Sequence, residues 1–424
     1  MMQLTTLANG LRVASRPIRS VETIAVGLYA ATGSRNEPAR LNGIAHLFEH
    51  MVFKGAGGRS ARELSEAVED VGGDINASTD RELTAFYVSL LAPDLPLGVT
   101  LLADLVRRPH FETRHLELER KVVLQELAEA RDTASDIVFD HLQEAAFPGQ
   151  AMGRSVLGNQ PTIEAITVEH LHQWRDRHYV PNRLILVAAG KLDHERLVKL
   201  ADKAFGDMAP GEPCRTEPAR FVGGLRFERR RGDQAHIAIV MPAPQWGAGD
   251  AYASQLFADV AGAGPSSRLF QQLREEQGLA YSVSALAQNF SDCGMFWTYV
   301  AARRGDAAHV RSEIERVLAE TISTLEPREL ERARALAKAG MMMSLESCWG
   351  QASYVATRLL REGALVEPAE IVARLDAVTL EDVRDVGERM LAGPRALASV
   401  GARLALAHLE RLSKQEGRLA QRWQ

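Results

Sequence analysis

A chain of 424 residues is longer than one hydrophobic core usually organises, so two or more domains are expected. A hydrophobic share of 46% with a charged share of 25% excludes a disordered or membrane-embedded class. A formal net charge of -5 argues against a dedicated nucleic-acid binder, which carries a basic excess.

The N-terminal stretch MMQLTTLANGLRV lacks a basic start followed by a long apolar run. No later window offers about 18 uninterrupted apolar residues, so no membrane span is expected. Leu11 to Pro17 and Thr23 to Ala31 read as strands, flanked by the turn signal Asn9-Gly10 and by Gly33. Gly43 to Phe53 and Ser60 to Val71 space their apolar residues as helices do, and Gly72-Gly73 stops the second. Asp74 to Leu91 returns to strand, rich in Thr84, Phe86, Tyr87 and Val88. A long helical pattern follows from Thr113 to Ala146, then a helix from Val168 to His178 and a strand from Leu184 to Ala189. The first half is therefore α+β, with helices packed on a mostly antiparallel sheet.

From about Asp207 to Gly224, Pro210, Pro213 and Pro218 block regular structure and mark a linker. Beyond it the pattern resumes. Glu117-Leu118-Glu119-Arg120 recurs as Glu329-Leu330-Glu331-Arg332, and Thr167 and Glu169 recur as Thr379 and Glu381, both at an offset of 212 residues. A shared offset over such a span indicates two copies of one fold. Cys214, Cys293 and Cys348 are far apart and form no CxxC pair, so they read as buried reduced thiols in a cytoplasmic or similarly reducing compartment.

The chemistry concentrates in the first copy. His46-Leu47-Phe48-Glu49-His50 falls within the expected helix Gly43 to Phe53. Residues four apart share a helix face, so His46 and His50 can present imidazoles to one ion, with the Glu49 carboxylate beside it. Imidazole nitrogens with a carboxylate suit zinc better than magnesium or calcium, which take oxygen shells. The alternative is a helix carrying two satisfied polar histidines. It loses ground because the motif runs on as Met51-Val52-Phe53-Lys54-Gly55 and a third ligand candidate, Glu126, follows downstream.

HLFEHMVFKG, followed 76 residues after His50 by Glu126 within LERKVVLQELAE, resembles the pitrilysin, insulysin and mitochondrial-processing-peptidase family, whose HxxEH motif inverts that of other zinc peptidases. The resemblance implies that His46, His50 and Glu126 bind zinc and that Glu49 activates water. Glu119, seven residues before Glu126, occupies the position of an assisting family glutamate. The second half carries SSRLF at 266–270 and LREEQGLAYS at 273–282, and the resemblance gives Arg274 and Tyr281 the role of reaching substrate and tetrahedral intermediate. Gly73 to Thr79 is similar to the family's GG..NA.T segment, an edge strand beside the zinc; Asn76 and Ala77 are its substrate-binding candidates.

Lys338 stands 212 residues after Glu126 and no second HxxEH exists, so one zinc per chain is expected. The resulting division is a zinc-binding catalytic module at 1–210, a linker at 211–224 and a metal-free module at 225–424. The implied activity is hydrolysis of unstructured peptides by a zinc metalloendopeptidase. Family chambers are built from four modules, so a two-module chain should pair as a homodimer or as a heterodimer with an inactive homologue. A non-catalytic structural subunit and a metal hydrolase acting on other bonds are the rival readings.

Overall fold

The computed structural model describes residues 1–404 apart from Pro213 and Arg215. Strands β1 (Gln3–Thr6), β2 (Arg12–Pro17) and β3 (Thr23–Ala30) precede helix α1 (Ile44–Val52). A two-residue ladder of β4 (Gly55–Ala56) and β5 (Arg59–Ser60) leads into α2 (Ala61–Glu69), then β6 (Asp74–Thr79) and β7 (Thr84–Leu91). Helices α3 (Leu95–Arg107), α4 (Thr113–Asp132), α5 (Ala134–Ala146), α6 (Gln160–Ala165) and α7 (Val168–His178) follow, then β8 (Leu184–Gly190) and α8 (His194–Phe205). The sheet runs β1-β2-β8-β3-β7-β6, antiparallel except where β2 meets β8.

The second half repeats this plan. Its elements are β9 (Gly224–Glu228), β10 (Gln234–Ala243), α9 (Ala251–Gly262) and a helical turn α10 (Arg268–Phe270) that widens into a π-helical stretch at Gln271–Glu276. Next come β11 (Ala280–Asn289), β12 (Gly294–Arg303), α11 (Ala307–Thr324), α12 (Pro327–Ser344), α13 (Cys348–Glu362), α14 (Pro368–Ala377), α15 (Leu380–Ala392) and β13 (Ala396–Val400). The order β11-β12-β10-β13-β9, with β13 and β9 as the one parallel pair, reproduces β6-β7-β3-β8-β2. The fold is thus α+β with two like modules. No described helix is long and apolar enough to cross a membrane.

Strand alternation explains how both faces of each sheet are buried. In β3, Ile24, Val26 and Leu28 join the core of the first module's own helices, while Ala25 and Tyr29 face the other way. That second face is covered by α13 of the second half, through Ala352, Val355, Ala356 and Leu359. The exchange is reciprocal. Helix α5 of the first half lays Val138, Leu142 and Ala145 on Ala238, Val240, Ala398 and Val400 of the second sheet.

Three expectations are corrected. The segment Thr113 to Ala146 is two helices, because Thr133 adopts an extended backbone and redirects α5 onto the other sheet. Asp74 to Leu91 is a hairpin that turns at residues 80–83. The three cysteines are partly rather than fully buried.

The tips of the two equivalent hairpins meet around Arg35, whose side chain is fully buried. Its guanidinium pairs with Glu82 of one turn and, at 2.6 Å, with Asp292 of the other. Glu82 also accepts the Ser291 N–H at 3.0 Å, so a charge that could not stand alone in the interior is matched from both modules.

Candidate metal centre

Helix α1 divides into two faces. Ile44, Leu47, Phe48 and Met51, at helical spacing, are buried in the first core. His46, Glu49 and His50 occupy the opposite side. The helix begins at Gly43, whose φ of 97° is left-handed, where a Cβ would also meet Ile163 at 2.4 Å. Its first N–H groups are satisfied from a distance: Glu37 accepts the N–H of Gly43 and of Ala45, each at 2.8 Å, and the Asn42 amide at 2.7 Å. A carboxylate at this helix end also suits the local dipole. Burial pushes the Glu37 carboxyl up to about 7 despite those three donors.

Helix α4 crosses α1 and supplies the remaining carboxylates. His46 Nε2 lies 3.9 Å and His50 Nε2 3.7 Å from Glu126 Oε2. His46, His50 and Glu126 are the group among the described residues able to hold a metal, with one ligand atom from each lying within 4.8 Å of the others. Donors on a tetrahedral ion with bonds of about 2.0–2.1 Å stand roughly 3.4 Å apart, so the triad would draw together to hold zinc. Burial, reinforced by His50, brings His46 down to about 4, which keeps its imidazole neutral, as a ligand must be.

A supporting ring of partners sets the orientation. His50 Nδ1 faces Glu119 Oε2 at 3.1 Å, leaving Nε2 for the metal side. The buried Glu119 is in turn paired with Lys54 Nζ at 2.9 Å. Glu49 accepts a short hydrogen bond from the Thr79 hydroxyl on β6. Its carboxyl is pushed up by burial and by Glu126, against the lowering effects of the Thr79 bond and His50.

The other candidates are not members of this group. Asn76 sits on the edge strand β6 with its side chain exposed, its Oδ1 accepting the Ala77 N–H at 2.8 Å; Ala77 points to the inner face. Arg274 is in the π-helical stretch and stacks over Phe270 at 4.9 Å. Tyr281, 54% exposed, is the extra residue of a bulge in β11. Neither hydrogen-bonds to the metal-binding group among the described residues. Lys338, which occupies the place of Glu126 in the second copy, pairs with Asp376 at 2.7 Å.

Sequence reasoning missed Glu37, Thr79 and Lys54 as parts of the site. Lys54 and Thr79 stood inside the noted motifs, but only their partners reveal a role. Glu37 had no signal, because its task is to cap a helix that begins several residues later.

The chain is similar to known zinc proteases over most of its length. A family profile described as Insulinase (Peptidase family M16) matches residues 12–160, and one described as Peptidase M16 inactive domain matches residues 165–336. An uncharacterized zinc protease of Streptomyces coelicolor is 32% identical over 94% of this chain and 89% of its own length. The mitochondrial-processing peptidase subunit beta of Lentinula edodes is also 32% identical, over 92% of this chain and 87% of its own. The crystal structure of a protease from Helicobacter pylori superposes with a TM-score of 0.89 at 20% identity, covering 94% of this chain and 99% of that one.

Proposed function

The chain belongs to the insulinase family of zinc peptidases, peptidase family M16, and on that premise we propose that it is a zinc metalloendopeptidase cleaving unstructured peptides. Support comes from the convergence of His46 Nε2, His50 Nε2 and a Glu126 oxygen, with Glu49 on the same helix face. These three residues would hold one zinc ion. The ion, when bound, supplies Lewis acidity that polarises a peptide carbonyl and acidifies water.

In this scheme Glu49 takes a proton from the attacking water and returns it to the departing amine. Burial raises its carboxyl above the ordinary carboxylate range, the direction that suits a group that must both accept that proton and give it back. Glu119 fixes the His50 ring so that Nε2 stays on the metal side, and Lys54 holds Glu119. The edge of β6 that is free among the described residues, at Asn76 and Ala77, receives the peptide as an added strand. Arg274 and Tyr281 supply donors for the carbonyl oxygen from the second module.

The division of labour is catalytic for 1–210 and substrate-contacting for 225–424, joined by a linker at 211–224. A closed chamber forms by pairing with a second chain, either a copy of this one or an inactive homologue, in the cytoplasm. Metal analysis of the purified chain, with cleavage of an unfolded peptide mixture with and without chelator, tests the scheme. Chelation should stop cleavage and zinc should restore it; cleavage indifferent to chelation discards the scheme.

A further inference from the structure

Among the described residues strand β6 is the open edge of the first sheet, and its pairing with β7 decides which peptide groups are free. Across the hairpin turn the Asp80 N–H donates to the Leu83 carbonyl at 2.7 Å. Antiparallel pairs alternate between bonded and non-bonded positions. In the register Thr79↔Thr84 and Ala77↔Phe86, Thr79 and Ala77 therefore take the non-bonded places, with N–H and C=O directed at the open edge. The Ala77 N–H is accordingly spent on its neighbour, Asn76 Oδ1.

The side chain of Thr79 has the opposite duty. Ile75, Ala77 and Thr79 alternate onto the partly buried face of β6, which packs on α1. There the Thr79 hydroxyl makes the one hydrogen bond that the Glu49 carboxylate has among the described residues. A single residue thus exposes its peptide unit to an incoming strand and holds the proposed proton acceptor with its hydroxyl.

We propose that Thr79 is a positioning residue that couples docking of an extended peptide along β6 to placement of the Glu49 carboxylate. The proposal rests on the peptidase scheme above. A peptide bonded to the Thr79 backbone stiffens the end of β6, and the hydroxyl passes that constraint to Glu49. A peptide too short to reach Thr79 leaves the carboxylate less well held. The Asn76 amide occupies the Ala77 donor until the peptide displaces it.

The test compares Thr79→Val, Thr79→Ser and Glu49→Gln in the zinc-loaded full chain, on a long unfolded peptide and on one too short to cover β6. Zinc content should match the unmodified protein in all three variants. Thr79→Val should lower kcat on the long peptide about 10- to 100-fold, the usual cost of a misplaced catalytic group, with KM within about 2-fold. It should also erase the kcat advantage of the long peptide over the short one. Thr79→Ser should restore kcat to within about 3-fold, because it keeps the donor. Should Thr79→Val not fold, Thr79→Ala takes its place with the same expected loss.

Unchanged kcat in Thr79→Val, a Thr79→Ser as slow as Thr79→Val, or a loss confined to KM overturns the coupling. If these occur while Glu49→Gln is inactive, the peptidase scheme stands without it. Full turnover by Glu49→Gln overturns the scheme itself, and the coupling with it.

Discussion

His50 turns its Nδ1 to Glu119 at 3.1 Å, and this contact from α4 to α1 fixes which nitrogen of the ring is left for a metal. The imidazole can rotate about its side-chain bonds, and a carboxylate on one nitrogen removes that freedom while raising the basicity of the other.

Removing the contact should therefore weaken metal binding without unfolding the chain. Glu119→Ala is expected to lower zinc affinity about 10- to 100-fold in competition with a chelator. Lys54→Met, which loosens the 2.9 Å pair with Glu119, should lower it less. Unchanged affinity in Glu119→Ala removes the orienting role.

Glu49 is not one of the three residues that form the metal group among the described residues, so its charge should matter to turnover and not to zinc. Glu49→Gln is expected to bind zinc as the unmodified chain does and to lose at least about 10²-fold in kcat. Equal zinc content with undiminished hydrolysis contradicts the assignment.

Glu37 links stability to pH through the helix that carries the motif. Burial raises its carboxyl from 4.5 to about 7 in the folded chain. A raised pKa means that the folded form holds the proton more tightly, so the contribution is full below pH 4.5 and lost as pH climbs to about 7. Glu37→Gln cannot titrate, and one of its two polar atoms faces a donor wrongly, at a cost of about 1–3 kcal/mol. The stability gap between the unmodified chain and Glu37→Gln, measured by denaturant titration, should narrow over that window as pH rises. A gap that widens rules out this linkage.

The exchanged helices should make the two halves unfold together. Leu359 of α13 is fully buried on the first sheet, and Leu359→Ala is expected to cost about 2–5 kcal/mol. Trp349, stacked at 3.8 Å on Tyr87, reports the same interface by fluorescence. One shared transition, shifted by the substitution, is expected in fluorescence and circular dichroism. Two separate transitions with only the later one shifted would count against the interlock.

Much of the site was legible because it is local. His46, Glu49 and His50 share a face through helical periodicity alone, and the apolar residues between them reveal which side is buried. Glu126 could be named as a downstream candidate, but only resemblance singled it out, since nothing in its own helix marks it as a ligand rather than a solvated charge. The break at Thr133 was hidden because both sides of it read as helix; Asp132-Thr133-Ala134-Ser135-Asp136, rich in residues that favour helix ends, was the available sign.

By itself, the sequence determined the two copies of one α+β plan, the helix bearing the motif and the residue types able to bind zinc, because these depend on backbone periods spanning a few residues. Tertiary structure alone decided the rest: that Glu119 meets His50 across 69 positions, that Thr79 reaches Glu49, that Arg35 joins both hairpins, and that each module borrows a helix from the other. Such meetings depend on how whole sheets and helices pack, and no short stretch of chain encodes that.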